Sequence, residues 1–165
     1  MKKTSKSNAK ISLGMAVKDK SGITKLLSLL LANEHVLYIK MRNFHWNLVG
    51  PSFVEVHEFI EKLYNITAAD IDVVAERIQQ LGFPAPGSMK EFLALATMVE
   101  SKGAKKEQTT AIFELAQDND TMAISLRKMI KEIEEDYNDP GTVDILVKII
   151  QSHEKNAWML RRYLG

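Results

Sequence analysis

The chain has 165 residues, 26% of them charged, a net charge of +1 and no cysteine; it is long enough for one domain with its own core, and disulfides, thiolate metal sites and thiol nucleophiles are excluded. No apolar run approaches the roughly 20 residues of a membrane span, and the start lacks the apolar segment and cleavage site of a signal peptide, so a cytoplasmic chain is expected. The small net charge hides an asymmetry: residues 1–20 hold Lys2, Lys3, Lys6, Lys10, Lys18 and Lys20 against Asp19 alone, which leaves 16 basic and 20 acidic side chains for the remainder.

The Ser- and Lys-rich start is poor in apolar residues, so residues 1–21 are predicted to form a flexible basic arm and 22–165 the folded domain. From Ile23 the pattern turns helical, with Leu26, Leu27, Leu30, Leu31, Val36, Leu37 and Ile39 giving a surface apolar on more than one side. That helix should end near Leu48, before Gly50 and Pro51. Ser52 with Glu55 reads as a capping box opening the next helix at once, and so short a link implies an antiparallel pair. The second helix is expected over Phe53–Leu81, with a stripe of Val56, Ile60, Leu63, Thr67, Ile71, Val74, Ile78 and Leu81, closed by Gly82, Pro84 and Pro86.

A long connection follows, in which Ser88 and Glu91 form a second capping box for a short helix in "MKEFLALATM". A third long helix is predicted over about Thr109–Tyr137, and "NDPGT" then supplies Asp139 or Thr142 as cap for a fourth over about Val143–Tyr163. Short, long and short connections among four helices describe an all-α fold, a ferritin-like four-helix bundle with one long crossover that contains a short extra helix.

Chemistry concentrates in the second helix. His57 and Glu61 lie four apart, as do Asp72 and Glu76, so each pair shares one patch of helix surface and has chelating geometry. At about 100° per residue these four cluster roughly 130° from the centre of the core stripe, so they face away from their own bundle. The pairs are centred about 22 Å apart along the axis, too far for one ion. If two copies of this helix pack antiparallel about a two-fold axis near residues 66 and 67, each pair meets the other chain's complementary pair. Ala68, Ala69 and Ala75 on the same face permit close approach, and His45, brought near by the tight turn, supplies a third ligand. The expected site is therefore His45, His57 and Glu61 from one subunit with Asp72 and Glu76 from its partner. Imidazole and carboxylate suit ferrous iron, with zinc, cobalt and manganese equally compatible with the spacing. A within-bundle Glu-x-x-His site is not encoded, because Ala32, Arg42, Val54 and Ile150 stand three before the four histidines.

"HWN" at 45–47, "GPSF" at 50–53, "VHEF" at 56–59, Asp72, "AERI..LG" at 75–82 and the ending "HEKNAWMLRRYLG" closely resemble the Dps family, the DNA-protecting mini-ferritins of starved bacteria. The resemblance implies that His45, His57, Glu61, Asp72 and Glu76 are ferroxidase ligands and that Trp46 lies beside them, where it packs or intercepts radicals. It also implies a hollow dodecamer of two-fold dimers that binds Fe(II), oxidises it with hydrogen peroxide and stores Fe(III) oxide. One departure is Glu61, where the family more usually has Asp. The resemblance places Asp144 at an iron-entry pore, with Glu135 and Asp139 weaker candidates because Pro140 replaces an acid common there. His35 and His153 lack an acid four residues away and are read as packing or surface side chains.

The lysines at 2, 3, 6, 10, 18 and 20 suit sequence-independent phosphate neutralisation, consistent with DNA binding and nucleoid association. The competing readings are a mini-ferritin without DNA binding and a non-enzymatic DNA-compacting bundle.

Overall fold

The computed structural model describes residues 13–102 and 105–165. Five helices carry the chain: α1 (Val17–Asn47), α2 (Phe53–Gln80), α3 (Met89–Leu95), α4 (Gln108–Glu132) and α5 (Pro140–Leu164). The short α3 lies within the long crossover between α2 and α4 and packs on α1. α1 pairs with α2 and α4 with α5, giving the ferritin-like bundle expected from the spacing of the connections.

The stripe read on α2 is the face that the bundle buries: Val56, Ile60, Leu63, Thr67, Val74, Ile78 and Leu81 are all buried, and Ile71 is half-buried. They pack against Ile23, Leu27, Leu30, Leu31, Leu37, Met41 and Phe44 of α1, and against Ile112, Leu115, Leu126, Leu146 and Leu160 of α4 and α5. Each such side chain, taken fully out of water, contributes roughly 1.5–3 kcal/mol. α1 is enclosed by both α2 and α3, which is why its apolar positions spread around the helix.

Several details depart from the sequence reading. α1 begins at Val17, so Lys18 and Lys20, assigned to the arm, stand on its first turn, where Lys20 is buried. The first twelve residues, with Lys2, Lys3, Lys6 and Lys10, lie outside the described residues. The capping box at Ser52 does not form. The Ser52 side chain caps nothing, and its backbone N–H instead donates to Gln108 Oε1 at 3.0 Å. The box at Ser88 does form, with Ser88 Oγ accepting from the Glu91 N–H and donating to Glu91 Oε2. Two short strands that no sequence run announces, β1 (Leu48–Val49) and β2 (Lys106–Glu107), pair in parallel and tie the α1–α2 turn to the end of the crossover.

The end of α4 widens into a π-helical turn over Ile133–Tyr137, and Asn138, in the left-handed conformation at φ 50°, reverses the chain. Asp139 then caps α5 by accepting from the Gly141 and Thr142 N–H groups, with Pro140 at the first helical position. Both Asp139 oxygens also accept from Arg77 Nη2 at 2.9 Å, which fastens the start of α5 to α2.

Candidate metal centre

His45 sits on the last turn of α1, buried, and His57 on the second turn of α2, half-buried. The five-residue connection folds these helix ends together, and the two imidazoles stack with centroids 3.6 Å apart and planes 21° from parallel. Each ring also bonds to the other residue's backbone: His45 Nδ1 lies 2.9 Å from the His57 carbonyl and His57 Nδ1 2.8 Å from the His45 carbonyl. A carbonyl only accepts, so both Nδ1 atoms carry a proton, and Nε2 is the nitrogen that each ring has left to offer a ligand. This is how a ligating histidine is oriented by its outer partner. His45's carbonyl is among the last of α1, which have no partner within the helix.

Glu61, one turn beyond His57 and exposed, completes the cluster. One potential ligand atom each from His45, His57 and Glu61 lies within 4.8 Å of the others, and among the described residues no other trio of His and acid side chains converges so closely. Two imidazoles and one carboxylate form a mixed nitrogen and oxygen donor set suited to a first-row dication. Asp72 and Glu76 are exposed further along α2, about 16 and 22 Å from Glu61 at 1.5 Å per residue. A single chain brings three of the five expected ligands together and leaves the remaining two on the same helix.

An aromatic wall borders the trio. Tyr64 meets His45 edge-on at 5.2 Å, and Phe53 lies 5.1 Å from His57. Arg42 donates to the Tyr38 hydroxyl at 2.7 Å, and its guanidinium lies 4.9 Å from the Trp46 ring centroid and 5.0 Å from that of Tyr64. Burial and the neighbouring Glu61 carboxylate push the Tyr64 hydroxyl above its ordinary pKa, with Arg42 opposing. Trp46 itself is 62% exposed. Arg42 and Tyr64 escaped the sequence reading, although each stands three residues from a candidate ligand, a spacing that shares a helix face.

The other candidates are placed as follows. Asp144 is exposed on α5 and ion-paired with Lys148 at 2.7 Å. Asp139 is buried against Arg77 and Thr142, where it caps α5. His35 bonds the Leu31 carbonyl and stacks on Phe92 at 3.7 Å, a packing role as expected. His153 is buried between Glu34 and Asn119, partners from other helices.

Residues 24–165 match the model of the ferritin-like domain. The chain is 36% identical over 144 residues to DNA protection during starvation protein 2 of Bacillus anthracis, an alignment covering 87% of this chain and 97% of that one. The chain belongs to the Dps family. An uncharacterized low temperature-induced protein of Nostoc sp. is 34% identical over 155 residues, with 94% and 87% covered. A crystal structure of a Dps protein from Bacillus brevis superposes with a TM-score of 0.86 at 30% identity, covering 92% of this chain and all of that one. The protein is a Dps-like mini-ferritin, and no helix among the described residues is long and apolar enough to cross a membrane.

Proposed function

We propose that this protein is a cytoplasmic ferroxidase that consumes Fe(II) and hydrogen peroxide at centres shared between two subunits, stores the Fe(III) product inside a dodecamer and binds DNA through its basic N-terminus. The observation that carries the iron reading is the locked pair of imidazoles: backbone carbonyls hold both Nδ1 atoms, and one potential ligand atom each from His45, His57 and Glu61 lies within 4.8 Å of the others. Ala68 lies on the same face of α2 between the two ligand pairs, and its small side chain permits close approach of a second α2. An antiparallel two-fold there would bring the partner's acidic pair to the trio.

Iron is the substrate. Two Fe(II) ions each give up one electron, and one hydrogen peroxide takes both with two protons to become two waters. The imidazoles bind without adding charge, while Glu61 and the partner's two carboxylates favour the oxidised ion. Reducing peroxide in one two-electron event avoids hydroxyl radical, and Trp46, exposed beside His45, serves as a donor for stray oxidising equivalents. Glu61 reaches one methylene further than Asp at this position, and the Tyr64 hydroxyl, whose pKa responds to the Glu61 carboxylate, stands ready to hold it.

Anaerobic Fe(II) loading followed by peroxide tests the reading. The expected result is oxidation of two Fe(II) per peroxide, reduced at least tenfold in rate by His45→Ala with His57→Ala. A rate unchanged by that double substitution would mean that the trio is not the centre.

A further inference from the structure

Away from the His45 centre, the four long helices each contribute to one polar cluster: Glu34 from α1, Asp70 from α2, Asn119 from α4 and His153 from α5. Glu34, Asn119 and His153 are buried, and Asp70 is half-buried. His153 Nε2 lies 2.8 Å from Glu34 Oε1, and His153 Nδ1 lies 2.9 Å from Asn119 Oδ1. Asn119 Nδ2 donates to the Leu115 carbonyl at 2.7 Å, which turns the amide oxygen towards the imidazole. His153 Nδ1 is therefore the donor, and Nε2 is the nitrogen offered to Glu34. Asp70 stands close enough for its charge to act on both Glu34 and His153.

A buried ion pair accounts for Glu34 Oε1 but not for Glu34 Oε2, which is buried and has no hydrogen-bond partner. A carboxylate oxygen in that state is costly. Three features of the cluster suit an ion better than a proton. The amide on Nδ1 orients the imidazole as an outer partner orients a ligand. The 2.8 Å between Nε2 and Oε1 is close to the edge of a coordination polyhedron with bonds of about 2.0–2.1 Å, roughly 2.9–3.4 Å. Above about pH 6, the value to which burial and Glu34 raise the Asp70 carboxyl, Glu34 and Asp70 offer two carboxylates whose charge a dication balances with the imidazole neutral.

We propose that the bundle interior binds one divalent transition-metal ion in place of the proton shared by His153 and Glu34, through His153 Nε2 and the Glu34 carboxylate, with Asp70 supplying the second negative charge. The mixed nitrogen and oxygen donors favour zinc, cobalt, manganese or ferrous ions over magnesium and calcium. These groups converge less tightly than His45, His57 and Glu61, so the inner donors come from two residues, and water or Asp70 fills the remaining positions. Binding releases the one proton of the pair, so affinity rises by up to tenfold per pH unit while that proton is present.

The test uses Co(II) on the full chain carrying His45→Ala and His57→Ala, which removes the outer trio and makes the result independent of the ferroxidase reading. Calorimetry and visible absorption should show one Co(II) per chain, bound through imidazole, with one proton released. On that background Glu34→Gln or His153→Gln should abolish binding, with circular dichroism reporting whether the fold survives. Asp70→Asn, on a half-buried position that puts the fold at little risk, should weaken binding at least tenfold. Failure of the His45/His57 variant to bind Co(II) would overturn the proposal and leave Glu34 Oε2 to a buried water. Co(II) affinity unmoved by Asp70→Asn, or by Glu34→Gln in a folded chain, would overturn it equally.

Discussion

Co-assembly of two inactive variants gives the sharpest prediction for the shared centre. One variant carries His45→Ala and His57→Ala, and the other Asp72→Ala and Glu76→Ala. Along α2, Asp72 and Glu76 lie about 16 and 22 Å from Glu61, whereas ligands of a first-row ion sit about 2.0–2.2 Å from it, so no chain supplies its own acids. In an antiparallel pair each subunit gives its histidines to one centre and its acids to the other. A mixed dimer therefore has one centre with every ligand and one with neither the histidines nor the acids. With equal amounts and random pairing, about half of the interfaces are mixed and about a quarter of all centres are complete. Each homogeneous variant should be inactive in stopped-flow peroxide-dependent Fe(II) oxidation, and the co-assembled mixture should recover about a quarter of the wild-type amplitude. A mixture verified by mass spectrometry to hold mixed dimers, yet as inactive as its parents, would refute the shared centre.

For the basic N-terminus, deletion of residues 1–12 removes Lys2, Lys3, Lys6 and Lys10 without entering α1; it should abolish DNA gel shifts at low salt and spare Fe(II) oxidation. If each lysine neutralises one phosphate, the intact chain should show a slope of log K against log salt steeper by about 3–4 per engaged arm, and equal DNA binding by both forms would exclude the arm. At Asp139, burial pushes the carboxyl pKa up, but the Thr142 hydroxyl and Arg77 guanidinium outweigh this and hold it below the usual 3.8. The interaction therefore stabilises the fold above about pH 4 and is lost as pH falls through the lowered value. Asp139→Asn should cost about 3 kcal/mol at neutral pH, with the gap to wild type in urea unfolding narrowing as pH falls below the usual carboxylate value and through the lowered one; a gap constant with pH would refute the assignment. Gly22→Ala would place a Cβ 2.5 Å from the Tyr137 ring, so overpacking of about 1–2 kcal/mol should exceed the helix-propensity gain of about 1 kcal/mol. The same substitution beside Tyr137→Ala should stabilise instead, and thermal melts that rank the two backgrounds alike would contradict this contact.

The long helices were legible because burial follows their apolar spacing, most clearly on α2, where all eight stripe positions are buried or half-buried. The start of α1 was less so. Residues 17–22 read as "VKDKSG", polar and ending in a glycine, and they are helical because tertiary contacts hold them, with Gly22 so close to the Tyr137 ring that a side chain would not fit. Ser52 failed as a cap because Gln108, 56 residues away, takes its backbone N–H, and no local pattern encodes such a partner. The same reason hid the core polar cluster: His153 has no acid four residues away because its acid, Glu34, is 119 residues distant. The trio was readable since a tight turn forces His45 beside His57. The tautomers that ready both rings for metal were not, because they depend on backbone carbonyls rather than on residue type.

All five proposed ligands of the outer centre lie between positions 45 and 76, His45 on α1 and the other four on α2. Residues 81–165, which form the crossover, α4 and α5, contribute none. In the proposed reading the outer centre is thus encoded by the α1–α2 hairpin alone. Substitutions at exposed positions after Leu81 should leave its geometry intact. The positions to keep are the few fasteners between the halves, such as the Gln108 side chain at the turn and the Arg77–Asp139 pair. A chain redesigned after Leu81 that keeps those fasteners should keep the centre, and grafting the hairpin alone would carry every proposed ligand to a new two-fold scaffold.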